Sequence, residues 1–353
     1  TLDSAIAVLK DVVENNPDAK PLEEVDALYH GNYSKWLKLA NSVKLRLAMR
    51  ICYVKPDLAK QYAMEAVRDG VMETADDSAL FQSWGSITII NPLEKIWNGY
   101  SDTRMGASMD SYLNGYNDPR LPVYFQPVTE GDNKGEYRGV ANGMPNPQQD
   151  DYKAMSAPNV QEKSTDSPLR WMMASEVAFL RAEGAMRGWT AEMGGTAEEF
   201  YNKGIELSFL ENGLSADAAA RYAADETSKP TDFTDVSAAN TKYNISALGK
   251  ITIKWNAGAS EEEQLERIIT QKWIAMFPNG TEAWSEFRRT GYPLIFPVRS
   301  NYPTSGVDTN KQIRRMVFPQ SEYSNNGAAV QEAVKLLGGP DNGGTKLWWD
   351  KKN

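Results

Sequence analysis

The chain has 353 residues with 38 basic and 47 acidic side chains, so its formal net charge is −9, which excludes a general attraction to phosphate backbones or anionic lipid. It is long enough to bury a sizeable core, and its single cysteine, Cys52, and single histidine, His30, exclude a disulfide framework, cysteine-cluster metal sites and catalysis on paired histidines. No apolar run approaches the ~18 residues needed to span a bilayer.

Residues 1–15 read as an amphipathic helix with Ile6, Leu9, Val12 and Val13 on one side. They carry no basic n-region, apolar h-region or cleavage site, so the chain is either cytoplasmic or begins mid-protein. A first helical pair is predicted near 33–70. Trp36, Ala40, Val43, Leu47 and Ile51 form one stripe, with Lys35, Lys38 and Arg46 opposite. Pro56 then stands where a first-turn proline belongs, and Gly70 supplies a left-handed stop.

A second pair is predicted near 168–213. It starts at Ser167-Pro168, and its helix carries two faces: Ala174, Ala178, Ala182 and Ala185 on one, Met173, Val177 and Leu180 on the other. Such a helix belongs between neighbours. Its partner opens on the capping box Thr196 and Glu199 and ends at Gly213. A third pair near 260–290 opens on Ser260 and Glu263, carries Leu265, Ile268, Ile269, Trp273 and Met276, and closes with a short helix stopped by Gly291.

The expected fold is therefore mainly α, a single unit over 1–353 in which degenerate tetratricopeptide-like helix pairs form a scaffold. Long loop-rich insertions pack on it. One spans 71–166, without a 3.6 period but dense in Trp84, Trp97, Tyr100, Tyr112, Tyr116, Tyr124, Phe125, Tyr137 and Tyr152. Loops that long are functional or disordered, and the aromatics argue against disorder. A second spans 214–259, with a strand-like run at 250–255, and an aromatic-rich tail spans 291–353.

Four segments together resemble the SusD/RagB family of outer-membrane nutrient-binding lipoproteins of Bacteroidetes: HGNYSKWLKLANSVKLRLAMRI at 30–51, NDPRLPVYFQP at 117–127, SEVAFLRAEGAMRGW at 175–189 and QKWIAMFPNGTEAWSEFRRTGYP at 271–293. IRRMVFP at 313–319, SNN at 324–326 and KLWWDK at 346–351 follow in the same order. The resemblance implies a helical scaffold bearing a loop-built surface for glycans or, in some members, peptides. It also implies a SusC-like TonB-dependent transporter as partner, an extracellular-face location at the outer membrane, and a lipid anchor that this chain lacks. Family members carry a signal peptide, a lipobox cysteine and roughly a first helix pair ahead of this point, which implies an N-terminally truncated chain.

Sugar rings present C–H faces that stack on Trp and Tyr, while neighbouring amides and Arg read hydroxyls. Trp84, Trp97, Asn98, Tyr100 and Arg104 have that mixture and are the expected ligand-binding residues. The alternative is that these aromatics glue the loop to the helices. No catalysis and no cofactor are expected. Glu94 with Asp102 or Asp110 could be imagined as a glycosidase pair, but nothing in the sequence sets their separation. Asp132, Asn133 and Glu136 miss the spacing of a calcium loop and read as a solvated turn. His30 reads as a cap or loop contact, Cys52 as a small buried apolar side chain, and Arg288-Arg289 beside Glu282 and Glu286 as pairing on a helix surface. An intracellular helical-repeat scaffold that binds another protein is the alternative function.

Overall fold

The computed structural model describes residues 1–20, 22–144, 149–159 and 167–352, the side chains of Asn98, Gln149, Ala238, Ala239 and Pro303 excepted. Helix α1, Leu2–Asn15, lies against α2, Tyr33–Arg50, which Asn32 caps by accepting from the Lys35 N–H. Helix α3, Pro56–Arg68, returns along α2, its fully buried Ala59, Ala63 and Ala66 permitting close approach to Leu45 and Met49. Each of those two larger side chains contributes about 1.5–3 kcal/mol by leaving water. Gly70, at φ +92, stops the helix as its sequence position predicts.

The first insertion is more structured than its lack of period suggests. Strand β1, Ala79–Phe81, is followed by the single turn α4, Pro92–Glu94, a π turn over Lys95–Tyr100, α5, Ala107–Gly115, α6, Leu121–Tyr124, and α7, Gln149–Tyr152. The NDPRLP motif works from within the core. Arg120, wholly enclosed, donates to both Asp118 carboxylate oxygens at 2.9 and 2.6 Å, to Ser208 Oγ at 2.9 Å and to Gln271 Oε1 at 2.9 Å. A buried guanidinium is tolerable only when fully answered in this way.

One predicted boundary shifts. The second pair does not begin as helix at Pro168, because Leu169–Met172 forms strand β2, antiparallel to β1, with Phe81 opposite Leu169. Met173 is still extended, and α8 runs from Ala174 to Met186. Its two faces are buried as expected, chiefly against α10 and also against α12 and α2. The short α9, Thr190–Met193, leads into α10, Ala197–Leu210, opened by the reciprocal Thr196 and Glu199 capping box. Gly204 of α10 faces the ring of Phe179, where a Cβ would lie 2.7 Å from ring carbons.

The second insertion contributes α11, Ala216–Ala223. The run at 250–255 joins no sheet, yet Ile251, Ile253 and Trp255 are alternately buried. The hydroxyls of Tyr116 and Tyr201 donate to the Ile251 and Ile253 carbonyls instead of a partner strand. Helix α12, Glu261–Ala275, is capped by Ser260, and α13, Gly280–Thr290, ends at Gly291 with φ +81. In the tail, α14, Gln320–Leu337, buries only Val330.

The pairing of Arg288 and Arg289 on a helix surface is overturned. Both are buried, and Arg289 is held by Glu183 and Glu286 inside the junction of α8 and α13. Period and i, i+3 spacing identify the pair, but the covering of α13 by α2 and α8 side chains comes from elements far away in sequence. Cys52 is buried as expected, with its Sγ 3.4 Å from Arg289 Nη1.

Candidate functional site

The first insertion folds around a cavity of about 510 Å³ lined by Ser101, Asp102, Arg104, Asn142, Tyr152 and Lys153 among others. Its floor is a backbone splice. Val140 N–H donates to the Met105 carbonyl at 2.8 Å, Ala107 N–H to the Val140 carbonyl at 2.9 Å, and Met105 N–H to the Ser156 carbonyl at 2.7 Å. Asp110 of α5 fastens it from behind, accepting from Gly139 N–H at 2.6 Å and Asn114 Nδ2 at 2.7 Å. Burial raises the Asp110 pKa, and those donors with Arg138 pull the other way. The splice is tight because Gly139 lacks a side chain: a Cβ there would lie 2.9 Å from the Gly106 carbonyl oxygen.

The π turn closes on Ser101, held left-handed at φ 55, and π turns recur at functional sites. It presents Trp97 half-buried and Tyr100 half-exposed, the latter 5.6 Å from Lys95 Nζ. Arg104 lies 4.8 Å over the Trp97 ring. Its nitrogens donate to the carbonyls of Ser101 and Thr103, each at 2.9 Å, and of Lys153 at 3.2 and 2.5 Å, so it clamps its own loop to the segment at Lys153. Burial lowers the pKa of Arg104. With its donors spent on carbonyls, Arg104 serves the site by holding Trp97 more than by reading hydroxyls.

The other polar side chains on the lining include Asn142 and Lys153, which the sequence did not single out, and Tyr152, named there only as one of the insertion's aromatics. Asn142 stands exposed on the cavity wall, where its side-chain oxygen lies 3.4 Å from where a Gly106 Cβ would be. Among the described residues Lys153 pairs with exposed Asp150, at 3.2 Å. Tyr152 donates to Asp235 Oδ1 at 3.0 Å and accepts from Asn240 Nδ2 at 2.7 Å. Burial first, then the Asp235 carboxylate, push its pKa up to about 12. The N-G dipeptide at 142–143 marks a turn, which was the available signal, and Gly143 is indeed left-handed at φ +72.

Trp84 is placed separately. It closes a tight turn with Ile87, donates Nε1–H to the Glu23 carbonyl at 2.7 Å, and stacks on His30 with centroids 3.5 Å apart. His30, left-handed at φ 54, is thus a loop contact. The Asn98 side chain lies outside the described residues. Asp132, Asn133 and Glu136 form a turn closed by an Asn133 to Glu136 hydrogen bond, and no cluster of metal-ligating side chains occurs among the described residues. No described helix is long and apolar enough to cross a membrane.

A family model described as Susd and RagB outer membrane lipoprotein matches residues 1–350. No curated protein matches. Among solved structures, a chitin-binding SusD homolog from Flavobacterium johnsoniae is 42% identical with a TM-score of 0.92, the match covering 100% of this chain and 71% of that one. A SusD-like protein from Bacteroides thetaiotaomicron is 44% identical with a TM-score of 0.91, covering 99% and 70%. A SusD homolog from Bacteroides uniformis is 42% identical with a TM-score of 0.90, covering 99% and 71%. With a family match over nearly its whole length and relatives above 40% identity across the scaffold and its insertions, this chain belongs to the SusD-like family.

Proposed function

We propose that the chain binds a glycan, without cleaving it, in the cavity beside Trp97, and passes it at the outer face of the outer membrane to a SusC-like TonB-dependent transporter. The observation that carries the reading is a polar cavity lined by Asp102, Arg104, Asn142, Tyr152 and Lys153, with the Trp97 ring packed against its lining residue Arg104 and Tyr100 next in chain to its lining residue Ser101. Aromatic faces with a few polar groups around them suit sugar recognition. A chitin-binding relative at 42% identity supports the same ligand class.

Calorimetric titration with chitooligosaccharides, other neutral oligosaccharides and a peptide panel tests it. At least one neutral glycan should bind, weaken on Asn142→Ala, and release no new reducing ends on long incubation. Binding of peptides alone, or sustained turnover, would replace this reading. A purified SusC-like transporter should retain the chain on a surface, and failure to do so would remove the delivery step.

A further inference from the structure

A second cavity, of about 1040 Å³, lies between α2, β2 and the start of α13. In a chain of net charge −9, no carboxylate residue lines it among the described residues, whereas Arg46 and Arg170 both do. Arg46 is already answered by a bidentate pair with Glu176 at 2.7 and 2.6 Å. Arg170 is not. Its Nη2 donates to two neutral acceptors, the Glu211 carbonyl at 3.2 Å and Asn212 Oδ1 at 3.0 Å. Its Nη1 is buried with no hydrogen-bond partner. The adjacent Glu211 carboxylate is engaged by Ser175 and Ser78 and makes no ion pair with Arg170. A buried donor left unmade costs free energy that a ligand acceptor would recover.

Two further features share the wall. Trp171 is 49% exposed, with Phe81 stacked on one face at 5.1 Å and 17°. Thr281, exposed in the first turn of α13, lies on the lining, and Glu282 in the same turn is taken up by Arg50. The mouth thus offers a ring platform beside a guanidinium that has no salt bridge among the described residues and whose Nη1 lacks a hydrogen-bond partner, the Glu211 carboxylate acting on it only through space.

We infer that this cavity is a second binding site, for a glycan carrying an anionic substituent, with Arg170 taking the anion and Trp171 the sugar ring. The inference rests on the glycan-binding reading above. A carboxylate, as in a uronic acid, and a sulfate ester present the same acceptor geometry to a guanidinium.

The test titrates the full chain with an oligogalacturonate, a sulfated oligosaccharide and inorganic sulfate, each with and without a saturating neutral chitooligosaccharide. An acidic oligosaccharide should bind alongside the neutral one, with affinity falling as salt rises. Which of the two acidic oligosaccharides binds identifies the substituent. Arg170→Gln should weaken it roughly 10- to 150-fold, the range for a hydrogen bond to a charged group. Because Arg170 also supports the end of α10, Thr281→Glu provides a second variant that leaves those contacts intact. It places a carboxylate on the cavity wall at a helix start, where an acid is tolerated, and should weaken the acidic ligand comparably. Neither variant should alter affinity for the neutral ligand. Acidic binding that is absent, that competes with the neutral ligand, or that ignores both substitutions would overturn the inference, as would binding of inorganic sulfate alone. Loss of neutral binding with acidic binding retained would count against the first cavity and leave this one standing.

Discussion

Glu183 of α8 and Arg289 of α13 meet in a bidentate pair, Nη1 to Oε1 at 2.7 Å and Nη2 to Oε2 at 2.6 Å, although they are 106 positions apart in sequence. Both are fully enclosed, and Arg289 also holds Glu286 at 2.6 Å. Arg289→Ala would leave two buried carboxylates short of their main partner. The expected loss is about 3–5 kcal/mol, the range for removing one side of a buried pair, read from denaturant midpoints.

The same pair sets an acid limit. Burial would raise the Glu183 pKa, but Arg289 and Arg187 reverse this and hold it at about 2, below its ordinary 4.5. A depressed carboxylate contributes stability that is complete above its unfolded pKa and drains away as pH falls from about 4.5 towards 2. The melting temperature should fall steeply across that window in the wild type. Glu183→Gln, starting from a lower value, should show a shallower fall.

Glu266 of α12 has the opposite sign. Desolvation pushes its pKa up to about 7, and its Oε1 is buried without a partner. A raised carboxylate contributes stability that is complete below 4.5 and is lost as pH rises through 7. Glu266→Gln should remove that loss, so the variant should match the wild type near pH 5 and melt at a higher temperature near pH 8. Equal melting temperatures at both values would refute the assignment.

These charged pairs mark where the sequence stopped being informative. The helix pairs were legible, because Ala59, Ala63 and Ala66, the alternating faces of α8, and the capping box at Thr196 are local signals read at 3.6 residues per turn. Burial of Arg289 was not, since the i, i+3 pairing with Glu286 looks the same on a surface, and Glu183 sits more than a hundred positions away. Strand β2 was hidden for the same reason: its partner Ala79–Phe81 is about ninety positions upstream, while Ser167-Pro168 imitates a helix start. In the insertion, aromatic density pointed to Trp97 and Tyr100, but the cavity next to them is lined by Asn142 and Tyr152, whose segments the splice of Val140 and Ser156 onto Met105 brings there.

Gly204 tests the close approach of α8 and α10. An alanine gains up to about 1 kcal/mol in helix propensity, yet its Cβ would sit 2.7 Å from the fully buried Phe179 ring. Overpacking at about 1–3 kcal/mol should win. Gly204→Ala is therefore expected to lower stability, and a gain in denaturant midpoint would show that the ring can move.

Trp97 and Trp84 separate ligand platform from loop glue. Trp97 is half-buried beneath Arg104, a lining residue of the cavity that is itself tied to Ser101, Thr103 and Lys153, so the ring is packed against a clamp that survives its removal. Trp97→Ala should remove a stacking surface worth about 1–3 kcal/mol, weakening the neutral glycan roughly 5- to 150-fold with little change in melting temperature. Trp84 makes its contacts to residues 23 and 30, through the Glu23 carbonyl and the His30 ring. Trp84→Ala loses a hydrogen bond and a stack, so it should lower stability by about 2 kcal/mol, below the range for a core tryptophan because this one is 38% exposed. Its effect on affinity should be the smaller of the two. Calorimetry and thermal melts on both variants decide it: if Trp97→Ala lowers the melting temperature and leaves affinity intact, the ring is structural and the binding surface has to be sought at Asn142 and Tyr100.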